Sequence, residues 1–174
     1  MTKPLYKPSY SFVSKTLALF SFLLISAIVS LAQTTITNGS AINASTIAVG
    51  NTITIEEGGT LNMDVSRSFA SITTTATVAA TATITGTNTL TITGTINVVA
   101  GTQLTTNSSV IITATTIAVN GTMNSGSTGT LTGTTFNINS GGNLNRTVAN
   151  TISGTLNVNA GGTYTHAINA GTIP

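Results

Sequence analysis

The 174-residue chain contains no cysteine. That excludes disulfide bracing and thiol catalysis. It also excludes a lipid anchor on an N-terminal cysteine. Charge is nearly as scarce, with five Lys and Arg against three Asp and Glu. The lysines, Lys3, Lys7 and Lys15, all lie in the first 15 residues. From residue 33 onward, Arg67 and Arg146 face Glu56, Glu57 and Asp64, two cations against three anions and a net charge of −1. The high overall pI therefore belongs to the leader. No basic patch exists to recruit nucleic acid or anionic lipid. Beyond residue 33 the only proline is Pro174, and His166 is the only histidine.

What is present begins with an apolar run. Residues 17–32 read LALFSFLLISAIVSLA and follow a basic, acid-free segment. The run closes on Ser30-Leu31-Ala32, small residues in the places a signal peptidase needs. This pattern predicts a helical signal peptide over residues 1–32 and a mature domain over 33–174. The run is sixteen residues, short of the ~20 that span a bilayer. An uncleaved membrane anchor is the competing reading. On the first reading the membrane is met only during export, and the mature domain is secreted or held at the outer cell surface.

The 142 residues from Gln33 contain 37 Thr, 17 Asn and 17 Gly. Disordered chains favour Pro, Glu, Lys and Ser. Here Thr, Ile and Val dominate, and these favour strands.

A motif recurs through this region. Thr, an apolar residue, a small residue and a second apolar residue lead to a Gly corner. The clearest copies are Thr52-Ile-Thr-Ile55, Thr95-Ile-Asn-Val98, Thr116-Ile-Ala-Val119, Thr135-Phe-Asn-Ile138 and Thr155-Leu-Asn-Val158. Their first apolar residues fall at 53, 96, 117, 136 and 156, steps of 43, 21, 19 and 20. The first step is two periods, which places a degenerate copy within Ser71 to Ala82. A period near twenty, built of short alternating strands with Gly corners, marks a stacked solenoid. Residues two apart on a strand share a face. Ile53 and Ile55 therefore point inward while Thr52 and Thr54 point out.

The expectation is an all-β fold: a right-handed parallel β-helix, or β-solenoid, of about seven rungs of ~20 residues. After the corner, Leu61, Leu104, Met123, Leu144 and Tyr164 should share an inward row. Val65, Val148 and Ile168 should line a third wall, with Val49, Ile92 and Ile152 inward before the motif. Arg67 to Ala82, which lacks Gly corners, is the stretch expected to be irregular. A β-sandwich of short strands is the alternative fold.

Candidate chemistry is thin. A general base needs a partner, and a metal site needs three or four ligands. His166 has neither nearby in sequence; aligned with Arg146 and Met63, it should point outward. Glu56, Glu57 and Asp64 cluster in one rung with only Arg67 near, which fits a solvated edge better than a cation site. A glycosidase requires two carboxylates flanking the scissile bond. These residues predict no catalytic centre, no cofactor and no metal. The sharper candidate is an outward ladder: Thr52, Thr95, Thr116, Thr135 and Thr155 in one row, with Thr54, Asn97, Asn137 and Asn157 in a second that Ala118 interrupts. Flat Thr-x-Thr arrays of this kind resemble those of ice-binding solenoids. The plainer reading is that Thr and Asn stack well on β-helix faces.

The segment Leu156-Asn-Val-Asn-Ala-Gly-Gly-Thr-Tyr-Thr-His-Ala-Ile-Asn-Ala-Gly-Thr-Ile-Pro174 resembles parts of large secreted surface proteins of Bacteroidota. Residues 34–174 are similar in repeat style to filamentous adhesins and autotransporter passengers. The resemblance implies an extracellular structural or adhesive role, with glycans or other cell-surface components as partners. It also implies further solenoid and a C-terminal anchoring module beyond Pro174, which makes this chain an expected N-terminal fragment. An open solenoid edge would invite edge-to-edge self-association. The remaining readings are a dedicated ligand binder, ice being the sharpest case, and a non-catalytic fragment of a β-helix carbohydrate-active protein.

Overall fold

A computed structural model describes residues 32–76 and 80–168. The expected signal peptide lies outside the described residues, apart from Ala32. Among its described residues, the unit from Gln33 onward contains fifteen β-strands and one short 3-10 turn, Ala44–Thr46.

All the strands pair in parallel and fall into two sheets. One runs β1 (Gln33–Ile36), β3 (Thr52–Glu56), β6 (Ser71–Thr75), β8 (Thr89–Val98), β10 (Ile111–Val119), β12 (Leu131–Ile138), β14 (Ile152–Val158), with β5 (Arg67–Phe69) beside β8. The other stacks β2 (Ala41–Asn43), β4 (Thr60–Met63), β7 (Ala82–Gly86), β9 (Gln103–Thr106), β11 (Thr122–Ser125), β13 (Asn143–Arg146) and β15 (Thr163–His166). The chain is a parallel β-solenoid of about seven turns, spaced about 20 residues apart. Each turn sends one strand to each sheet. The backbone hydrogen bonds of one turn are satisfied by the next, which gives a cysteine-free chain a continuous ladder.

Three walls surround the interior. The first carries the Thr-apolar-x-apolar motif, and its inner row is Ile53, Ile72, Ile96, Ile117, Phe136 and Leu156. Strand β6 is the degenerate copy expected near Ser71, and its Ile72 is fully buried. The second wall is the other sheet. The third is β5 together with the leading halves of β8, β10, β12 and β14. Shifts in register at Ala114/Thr116 and Thr132/Thr135 separate it from the first wall.

One rung shows how tightly the interior is matched. Phe136 stands in a row otherwise made of Ile and Leu. In the rung before, Ala114 pairs with Gly133 and Ile117 with Phe136. A Cβ on Gly133 would lie 3.0 Å from Phe136 Cε2. The smaller residue on one wall thus makes room for the larger on the next, as close packing demands.

Several expectations are corrected. Val49 is 62 % exposed and Val65 also faces solvent. The third wall is built instead by Phe69, Leu90, Ile92, Ile112, Leu131 and Ile152, all buried. In the early rungs Ala44 and Ile47, around the 3-10 turn, close that side. Leu61 does not share the row of Leu104. It pairs with Ile84, which pairs with Thr106, whereas Leu104 pairs with Ala82. Gly59 is buried one alternation before Leu61, and it occupies the corner-proximal place that Leu104 and Met123 take later. Arg67 to Thr75 is not irregular, for it forms β5 and β6; only residues 77–79 of that stretch are left undescribed.

Candidate functional site

The outer rows of the first wall follow from the pairing register. Row one runs Gln33–Thr52–Ser71, then Thr95–Thr116–Thr135–Thr155. The pairing of Ile72 with Ile96 carries Ser71 to the level of Thr95. Row two runs Thr35, Thr54, Thr73, Asn97, Ala118, Asn137, Asn157. The structure therefore brings Thr52, Thr54, Thr95, Asn97, Thr116, Thr135, Asn137, Thr155 and Asn157 together on one sheet face. Through Asn137 they alternate with fully buried residues and are half-buried, because a rung flanks them on either side. In the last rung Leu156 is only half-buried, and Val158, expected to point inward, is 48 % exposed. Within row one, Ser71 donates to Thr52 at 3.4 Å. Thr95, Thr116, Thr135 and Thr155 make no side-chain hydrogen bond among the described residues.

The same surface chemistry covers the other two walls. On the second, Thr60, Thr83, Thr105, Asn124, Asn145 and Thr165 stand in register. On the third, Ser68, Thr91, Thr113, Thr132 and Ser153 do so. Short hydroxyl and amide side chains thus face out from every wall. These two arrays carry the same alternation as the first, but their register is set by loops whose lengths vary from rung to rung.

Asparagine has a structural use here. Asn120 Nδ2 donates to Asn97 Oδ1 at 3.0 Å, Asn139 to Asn120 at 2.8 Å, and Asn159 to Asn139 at 2.8 Å. Parallel ladders join Asn157 to Asn137, Asn145 to Asn124 and Asn62 to Asn43. Stacked identical amides at the strand spacing satisfy one another in this way.

The ionisable residues are dispersed. Asp64 accepts hydrogen bonds from the Ser45 hydroxyl and from the Ser45 backbone N–H, the latter at 2.9 Å. Those bonds favour the charged form and hold its pKa below the ordinary carboxylate value. Arg67 grips the same turn from the other side, donating to the carbonyls of Ala44 and Ser45 at 3.2 and 2.7 Å. Both side chains clamp the 3-10 turn. A carboxylate with a depressed folded pKa stabilises above its unfolded value, about 3.9, and that contribution is lost as pH falls through the folded value. Asp64→Asn should therefore shrink the drop in urea midpoint between pH 7 and pH 3, measured by circular dichroism. Full retention of the drop would show that Ser45 does not anchor the carboxylate.

Glu57, expected at a solvated edge, is only 5 % exposed. His166 and Arg146 are likewise corrected. They pair with each other in register and continue the inward row of Thr106 and Ser125. Arg146 is 6 % exposed, and its guanidinium donates to the Asn150 side chain at 3.1 Å and to the Asn150 carbonyl. Asn150 in turn donates to Ser125 Oγ at 2.6 Å. His166 lies on the core-facing side of β15 with Tyr164, whose hydroxyl is 3.4 Å from its Nδ1. Met63 is not in that row, since it pairs with Gly86. The interior also accepts Thr74, whose hydroxyl bonds to that of Thr102 and receives the Val99 N–H at 3.0 Å. A buried hydroxyl with both roles filled replaces an aliphatic side chain at little cost. Nothing in an alternating pattern marks such a position as inward.

Among the described residues, no group of three His, Asp or Glu is placed to hold a metal ion. No described helix is long and apolar enough to cross a membrane. No protein family, no curated protein and no solved structure matches the chain.

Proposed function

We propose that the solenoid is a non-catalytic module, secreted or displayed on the outer cell surface, that acts as a structural or adhesive element. The observation behind this reading is the uniformity of its outer surface. All three walls present uncharged hydroxyls and amides in register. Its few ionisable groups are dispersed. Asp64 and Arg67 clamp a turn, and Glu56 faces out at the end of β3. Glu57, Arg146 and His166 sit in inward phases of their strands or corner. None forms the dyads and triads that acid–base or nucleophilic chemistry requires. A neutral, hydrogen-bonding, repetitive surface suits weak contacts repeated many times, which gain strength through multivalency. Glycans and other surface components are the partners such a face would meet.

A second reading is favoured by one row. The hydroxyls of Thr95, Thr116, Thr135 and Thr155 are free of intramolecular side-chain bonds and spaced by one strand separation, about 4.8 Å. A regular array of unengaged hydroxyls could order water and bind ice.

One set of variants separates the two readings. Thr116→Tyr with Thr135→Tyr disrupts the first wall, and Thr83→Tyr with Thr105→Tyr disrupts the second. On beads coated with the full chain, a distributed adhesive surface predicts similar partial losses of attachment to glycan-coated glass for both pairs. Ice binding by the first wall predicts that only the first pair abolishes inhibition of ice recrystallisation. Turnover of a polysaccharide panel by the unmodified protein would overturn the non-catalytic reading.

A further inference from the structure

Glu57 follows the first-wall strand β3 and opens the turn that leads into the Gly58-Gly59 corner. It sits in the buried phase of the alternation and is 5 % exposed. Its backbone N–H is satisfied by the Thr75 carbonyl at 3.1 Å. Its carboxylate, in contrast, makes no hydrogen bond or ion pair among the described residues. Its oxygens are not sealed from solvent, and with so little of the residue exposed, a donor that reaches them replaces water at little cost. The remaining approach is through a groove of about 420 Å³ that Glu57 itself lines.

That groove crosses several rungs. It begins at Glu57, passes Thr81, Gln103 and Thr122, and reaches the corner glycines Gly121 and Gly141. Four rung spacings separate its ends, roughly 19 Å at the usual strand separation. At Gly101 and Gly141 the corner carries no side chain and nothing crowds it, which leaves backbone open to close approach. Gln103 Oε1 is held by the Thr81 hydroxyl at 2.8 Å, so its amide N–H₂ remains available to donate. The Thr122 hydroxyl has no side-chain partner. The groove thus offers an unpaired, little-exposed carboxylate at one end, neutral donors and acceptors along its length, and no cation among its described lining residues.

We propose that this groove binds a linear oligosaccharide bearing free amino groups, with one ammonium donating to the Glu57 carboxylate. The length fits an extended chain of a few sugar rings. The lone unpaired carboxylate selects a cationic donor over a plain hydroxyl, because a charge-assisted bond is the stronger. The inference deepens the adhesive reading but uses a different surface, the Gly corners rather than the Thr and Asn walls.

The probe is the tetramer of glucosamine, titrated at pH 6 into the full, isotope-labelled chain and followed by amide resonances. Cellotetraose, of the same length without amines, is the control. The expected result is saturable shifts at Gly101, Gln103 and Gly121. Affinity should fall about tenfold for Glu57→Gln, and cellotetraose should bind weaker by a similar factor. Thr122→Tyr, which fills the groove from the outer face, should abolish the shifts while the circular dichroism spectrum is kept. It tests the site even if Glu57→Gln fails to fold. Equal binding of cellotetraose, undiminished binding by a folded Glu57→Gln, or displacement of the sugar by millimolar Ca²⁺ would each overturn the proposal. Loss of this binding with bead attachment intact would leave the adhesive reading standing.

Discussion

Replacing Phe136 with Ala should destabilise the solenoid by about 3–5 kcal/mol, the usual cost of emptying a large buried aromatic site. Phe136 is fully buried, and the space it fills is provided in part by a glycine. Gly133→Ala alone should cost about 1–3 kcal/mol, because the new Cβ would crowd the ring. The combination of Gly133→Ala with Phe136→Ile should be much milder than its parts. It recreates the Ala114 and Ile117 pair of the preceding rung. Urea denaturation of the wild type, Gly133→Ala, Phe136→Ile and the double variant closes a double-mutant cycle, with an expected coupling of about 1–3 kcal/mol in favour of the pair. Additive losses would mean that the two walls do not share this volume.

The second large effect concerns register. Excising residues 112–130 removes one full rung. Leu131 would then take the place of Ile112 opposite Leu90, and Asn143 the place of Thr122 opposite Gln103. Both sheets close in phase. The shortened chain should still unfold cooperatively, with a denaturant slope lower by about one seventh. Deleting Ala118 alone should be far worse. It makes Ile117 and Val119 consecutive, and consecutive residues face opposite sides of a strand. A buried valine would turn outward or a ladder would break, at an expected cost of about 3 kcal/mol or more. If the one-residue deletion proves milder than the nineteen-residue one, the stacking does not dictate the pairing.

These two cases also show where the sequence speaks clearly. The motif from Thr52 to Val158 exposes its period because two apolar residues flank one small residue in each of its five clear copies. The first wall, the number of turns and the outward rows could be read from it. The second and third walls were harder. Their inward rows mix Thr106, Ser125, Arg146 and Gly133 with aliphatic residues, which removes the contrast that periodicity depends on. Loop lengths then decide the phase: Thr60 pairs with Thr83, but Gln103 with Thr122, intervals of 23 and 19 residues. Val49 looked like Ile92 in spacing, yet it falls in the turn that ends at Gly50, with φ +82°, and not on a strand. The enclosure of Glu57 had no sequence signal at all. It follows from the corner being one alternation out of step with later rungs.

The asparagine ladders give the solenoid a direction. In each of them the amide nitrogen of the later rung points at the carbonyl oxygen of the earlier one, from Asn62 to Asn43 and from Asn159 through Asn139 and Asn120 to Asn97. The small backbone dipole of each strand lies along the strand, across the direction in which the rungs stack, whereas these side-chain dipoles all add along the stacking direction. Turning over one amide in the middle of the longest ladder would set two oxygens and two nitrogens face to face, so the ladder can reverse only as a whole. Electrically, the two ends of this uncharged stack are unlike: amide hydrogens lead toward the first turn and bare oxygens toward the last.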